Sequence, residues 1–123
     1  MKRHEYREKI LFALYQHLLL KNNLRDSFDN NFQKEDYDEF LIKILTDLEI
    51  NMDSYKEKIN GYLNKWSFDR LSYIDQSILL AACSEISLGL NDKPVIIDEA
   101  VILSKKYSDE ESYKYINGVL DKL

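Results

Sequence analysis

The chain has 123 residues, 45% of them apolar and 32% charged, with nine Tyr and a formal net charge of −5. That is one domain's length, with too much apolar material for an intrinsically disordered chain, and three Gly and one Pro are too few for the tight turns of a many-stranded sheet. The composition favours an all-α domain, and the acidic balance argues against nucleic-acid binding through bulk charge, so any such contact must be local.

A first helix is expected from about Arg3 to Leu20, where Tyr6, Ile10, Ala13, Leu14 and His17 recur at spacings of three and four. Its opening residues carry Lys2, Arg3, Arg7 and Lys9 against Glu5 and Glu8, a local charge of +2, with His4 and the terminal amine at the same end. Residues Lys21 to Glu35, rich in Asn and Asp, read as a long loop. A second helix follows from Tyr37 through Phe40, Leu41, Ile44, Leu45 and Leu48. Tyr55, Ile59, Tyr62, Leu63 and Trp66 form a third after a break near Asn51, with Gly61 inside the pattern. From Asp26 to Lys58 ten carboxylates oppose four lysines, so a basic head precedes an acidic middle.

Ser72-Tyr73-Ile74-Asp75 reads as a capping box in which the Ser72 hydroxyl caps and Asp75 reaches back, opening a helix that Gly89 ends. Asn91-Asp92-Lys93-Pro94 is a turn before a helix carrying Ile97, Ala100, Val101 and Ser104. Ser108-Asp109-Glu110-Glu111 is a second capping box, opening a last helix through Tyr115, Ile116, Val119 and Leu120. This makes six helices, or seven if Ser67 to Leu71 forms a turn of its own. Gly118 inside the last helix costs about 1 kcal/mol relative to Ala, which calls for close approach of another helix or of a ligand. Its apolar neighbours favour the packed crossing.

Motifs that carry chemistry are missing. There is no GxxxxGK[ST] or GxGxxG stretch to cradle phosphates. His4 and His17 lie about 20 Å apart along one helix and cannot share a metal, so no metal or other cofactor is expected. Cys83 is the only cysteine; it cannot form an internal disulfide, and in the apolar run Leu80 to Cys83 it reads as a buried inert thiol. No apolar run approaches the roughly 20 residues of a membrane span. A soluble cytoplasmic protein that is not an enzyme and does not engage a membrane is the expectation.

Two C-terminal stretches resemble the closing signature of the bacterial transcription antitermination protein NusB family. They are Asp98-Glu99-Ala100-Val101-Ile102-Leu103-Ser104-Lys105-Lys106-Tyr107 and Lys114-Tyr115-Ile116-Asn117-Gly118-Val119-Leu120-Asp121-Lys122. Arg7-Glu8 with Ala13-Leu14-Tyr15-Gln16, and Ile74 to Leu79 through Glu85-Ile86, agree with it in order and spacing. Leu20 to Trp66 matches only in helical pattern.

The resemblance implies an all-helical protein of two small subdomains, residues 1–66 and 67–123, sharing one compact domain and without catalytic activity. It implies binding of single-stranded boxA RNA of rRNA transcripts together with the ribosomal protein NusE, in a complex with other Nus factors on elongating RNA polymerase. Cations on phosphates and aromatic faces on splayed bases suit such RNA. With the first helix beside the last, the candidates are Lys2, Arg3, His4 and Arg7, flanked by Lys114 and Tyr115, the last standing where the family usually has Phe. Glu5 and Glu8 interrupt what is usually a denser arginine run, which thins the basic patch. Asp75 and Glu85 are the acidic candidates for contact with the basic NusE. The alternative is a helical protein–protein interaction module with little RNA affinity of its own, and apolar faces that close one core can also close a homodimer.

Overall fold

Helices form where the apolar spacing places them at the two ends of the chain, and the middle departs from it. The computed structural model describes all 123 residues. It contains α1 (Arg3–Leu20), α2 (Leu24–Asn31), α3 (Glu39–Asn60), α4 (Tyr73–Leu88), α5 (Lys93–Tyr107) and α6 (Ser112–Asp121). Single 3₁₀ turns occur at Lys34–Asp36 and Phe68–Arg70, and there is no strand. No helix is long and apolar enough to cross a membrane.

The number of α-helices is as expected, but they are a different six. The stretch read as a long loop contains α2, whose Asn23 side chain accepts hydrogen bonds from the Arg25 and Asp26 amides at 2.9 and 3.3 Å. Such a cap satisfies backbone donors that an eight-residue helix cannot satisfy itself. Leu24, Ser27 and Phe28, at i, i+3 and i+4, bury its one apolar face. The break expected near Asn51 does not exist. α3 runs 22 residues through it, and the Asn51 amide donates to Asp47 one turn back at 2.9 Å instead of turning the chain. Gly61 stands just past its end.

α4 is the central element. It packs against α1, α3, α5 and α6, while α1 otherwise rests on α2, and α6 on α5. α1 and α6 both pack on α4 and have little direct contact with each other, so the condition that the first helix lie beside the last is not met. A helix walled on so many sides is enclosed on most of its faces: ten of its sixteen residues are buried, and the five polar ones among them, Asp75, Gln76, Ser77, Ser84 and Glu85, must find partners inside the fold. Twenty-eight buried apolar residues join into one continuous core.

The caps also differ from expectation in detail. The Ser72 hydroxyl does accept from the Asp75 amide, at 3.1 Å, and Gly89 does end α4 in the left-handed conformation at φ 63°. The Asp75 carboxylate, however, does not reach back. It accepts hydrogen bonds from the hydroxyls of Ser108 and Tyr115, which are 33 and 40 residues away in sequence. Ser108 thus follows α5 and ties it to α4, and α6 opens four residues later at Ser112. The packed crossing expected at Gly118 is absent: a Cβ there would meet nothing within 4 Å.

Candidate functional site

The basic residues expected to share one surface part ways. Arg7 turns inward and is only 7% exposed. Its Nε and Nη2 donate to the two carboxylate oxygens of Glu85, each at 2.9 Å, and Glu99 lies 3.9 Å from Nη1. Burial alone would lower the guanidinium's pKa, but the hydrogen bonds and charge of Glu85, with Glu99 behind, outweigh it and hold Arg7 above its ordinary value. Two parallel bonds between planar groups are the strongest ion-pair geometry available to side chains. Glu85, 4% exposed, is equally enclosed.

A second pair repeats the pattern at the other end of α4. Tyr115 donates to Asp75, itself 5% exposed, and burial followed by the carboxylate's influence pushes the phenol far above its ordinary pKa. Two residues expected on RNA, Arg7 and Tyr115, are thus each bonded to one of the two expected on a partner protein, Glu85 and Asp75. These four side chains brace α1, α4 and α6 from within.

What stays on the surface is the first turn of α1. Lys2 and His4 are exposed and have no carboxylate within 4 Å. Arg3 is half-exposed, 3.6 Å from Asp38, with its guanidinium 3.8 Å above the centre of the Phe40 ring. Lys2 precedes the helix without a side-chain cap, and Glu5 is the only acid in the first turn. Cations beside uncapped amides at the positive end of a helix dipole oppose helix stability, and the same arrangement attracts an anion. Lys114 is exposed on α6 but bonded to Glu111, and Lys106 of α5 donates to Glu8 of α1 at 2.8 Å. Glu99 and Lys106 stand in the stretch that resembles the family signature and Ser108 reads as a cap, but no spacing pointed to their actual partners, Arg7, Glu8 and Asp75, since each acts across the fold.

A strandless helical bundle wrapped on one central helix is the fold shared with a solved structure of a transcription antitermination factor. The profile of the NusB family matches residues 4–123. The chain belongs to that family. It is 35% identical over 125 residues to the transcription antitermination protein NusB of Oceanobacillus iheyensis, covering 100% of this chain and 98% of the relative. The solved structure of T. maritima NusB matches with a TM-score of 0.89 at 30% identity, over 99% of this chain and 89% of that one. A crystal structure of the antitermination factors NusB and NusE in complex with double-stranded RNA matches with a TM-score of 0.82 at 25% identity, over 99% and 96%.

Proposed function

We propose that this protein is a non-catalytic RNA-binding adaptor of transcription antitermination in the cytoplasm, holding boxA-type single-stranded RNA together with a NusE-type ribosomal protein on elongating RNA polymerase. The observation that carries the reading is the first turn of α1, where Lys2, Arg3 and His4 crowd uncapped helix amides. Such a site suits an anion, and a phosphate backbone among anions. The resemblance of the whole chain to a NusB bound to NusE and RNA supports it. Direct RNA contact then falls to Lys2, Arg3, His4 and Lys114. Arg7 and Tyr115 act by fixing the helices that present them, and Asp75 and Glu85 act by holding those two. The division into residues 1–66 and 67–123 belongs to the same proposal, supported by the packing of α1 on α2 at one end and of α5 on α6 at the other, with α4 shared.

One observation favours the second reading, an interaction module with little RNA affinity of its own. Glu85, Glu8 and Glu111 withdraw Arg7, Lys106 and Lys114 from the available positive charge. A mobility shift of boxA RNA, with and without NusE, decides between them. Preferential retardation over a scrambled RNA by the chain alone supports the adaptor, and a preference seen only with NusE supports the module. Equal shifts for both RNAs in both conditions overturn the RNA role.

A further inference from the structure

Between α6 and the segment that follows α3 lies an open groove of about 280 Å³, lined by Tyr62, Lys65, Trp66, Tyr115, Gly118 and Lys122 among others. In an acidic chain it is unusual: its lining includes two lysines and no carboxylate. The Trp66 indole on its rim is 58% exposed, a large apolar face left in water. Tyr115 on its wall is held in place through its hydroxyl by Asp75. Gly118 on its floor has no packing reason to lack a side chain, because the space above it is empty.

We infer that this groove is a stacking subsite for one unpaired base of single-stranded RNA, with Trp66 offering its face and Lys65 and Lys122 taking the adjoining phosphates. The inference rests on the reading of RNA as the ligand. Aromatic faces beside cations are what an unpaired nucleotide recognises, since every base has a π-face and carries a phosphate. A glycine with open space above it leaves the floor clear for that ligand. The groove on the other side of the same indole supports the choice by contrast: Asp75, Asp109 and Glu111 line it with Arg70, and carboxylates repel a phosphate backbone.

Trp66 is the only tryptophan, so its emission reports this groove directly. Titrating the full chain with boxA RNA should quench it saturably, in step with the mobility shift. Trp66→Ala should weaken binding roughly tenfold or more, the scale of one lost base stack. Gly118→Gln, which has room to fold, should weaken binding without lowering the thermal midpoint. RNA that binds with Trp66 emission unchanged and with equal affinity for Trp66→Ala overturns the subsite and leaves the RNA role standing. Quenching by NusE but not by RNA assigns the groove to a protein and likewise overturns it. No RNA binding even with NusE removes both readings.

Discussion

Arg7 and Glu85, 78 residues apart, meet inside the bundle through two hydrogen bonds of 2.9 Å each. A buried pair of this kind contributes little relative to apolar residues of the same volume, yet losing one partner leaves a charge stranded in the core. Arg7→Ala or Glu85→Ala should therefore destabilise by about 3–5 kcal/mol, while Arg7→Met with Glu85→Leu should recover most of the loss. Urea unfolding of the three variants checks this. A double variant as unstable as the sum of the singles would show that the pair does not act as a unit.

Tyr115→Phe removes the phenol that donates to Asp75 and leaves the carboxylate with Ser108 as its remaining long-range donor. A cost of about 1–3 kcal/mol is expected, the scale of a buried acceptor deprived of a partner. Thermal unfolding would show it. A neutral substitution would mean that water replaces the hydroxyl.

At Gly118 the expectation is opposite in sign. With nothing within 4 Å of an added methyl, Gly118→Ala should stabilise α6 by about 1 kcal/mol through helix propensity alone. A lowered melting temperature would mean that the backbone there needs glycine for some other reason.

Phosphate contacts are read through salt. If Lys2 and Arg3 each neutralise one phosphate, Lys2→Ala with Arg3→Ala should flatten the dependence of log affinity on log salt by about 1.4, roughly 0.7 per contact on a single strand. Arg7→Ala in a chain that remains folded should leave that slope unchanged, because the guanidinium does not reach solvent. An altered slope for Arg7→Ala would mean that it leaves Glu85 when RNA binds.

Two buried acids, beside the Tyr115 phenol, contribute to alkaline stability. Burial, more than any neighbour, pushes the Cys83 thiol up to about 11 and the Tyr55 phenol up to about 12, from ordinary values of 9.0 and 10.0. The unfolded chain therefore releases these protons first, so their contribution is fully present below about pH 9 and is lost as pH rises through 11 and 12. Denaturant midpoints should be level up to about pH 9 and fall from there towards pH 12. Cys83→Ala should delay the onset of the fall, and an unchanged onset would remove Cys83 from the account.

The sequence made legible those elements whose cause is local. α1 and α4 were readable from apolar spacing, and Ser72 and Gly89 marked the ends of α4 because a cap and a left-handed glycine act within a few residues. α2 was hidden because Asn and Asp favour turns in isolation, and the burial of Leu24 and Phe28 that overrides them is tertiary. The site shows the same division. That α1 opens with cations was plain, but that Arg7 would face inward depended on Glu85 and Glu99 arriving from other helices. Asp75 looked like a capping acid because Ser72 stands three residues earlier. Its actual donors, Ser108 and Tyr115, come from chain positions that no spacing rule connects to it.

The central place of α4 bears on the order in which a growing chain can close its core. α1 packs on α2 but meets α3 chiefly through α4, so the first sixty residues leave the ribosome as helices whose apolar faces the α1–α2 contact covers only in part. Until Leu88 emerges, Ile10, Leu14, Leu45 and Leu48 have no complete interior, and Arg7 remains in water because Glu85 is not yet available to it. The emergence of α4 is thus the event that makes a collapsed native core attainable during synthesis, and α5 and α6 then add to a wall already standing.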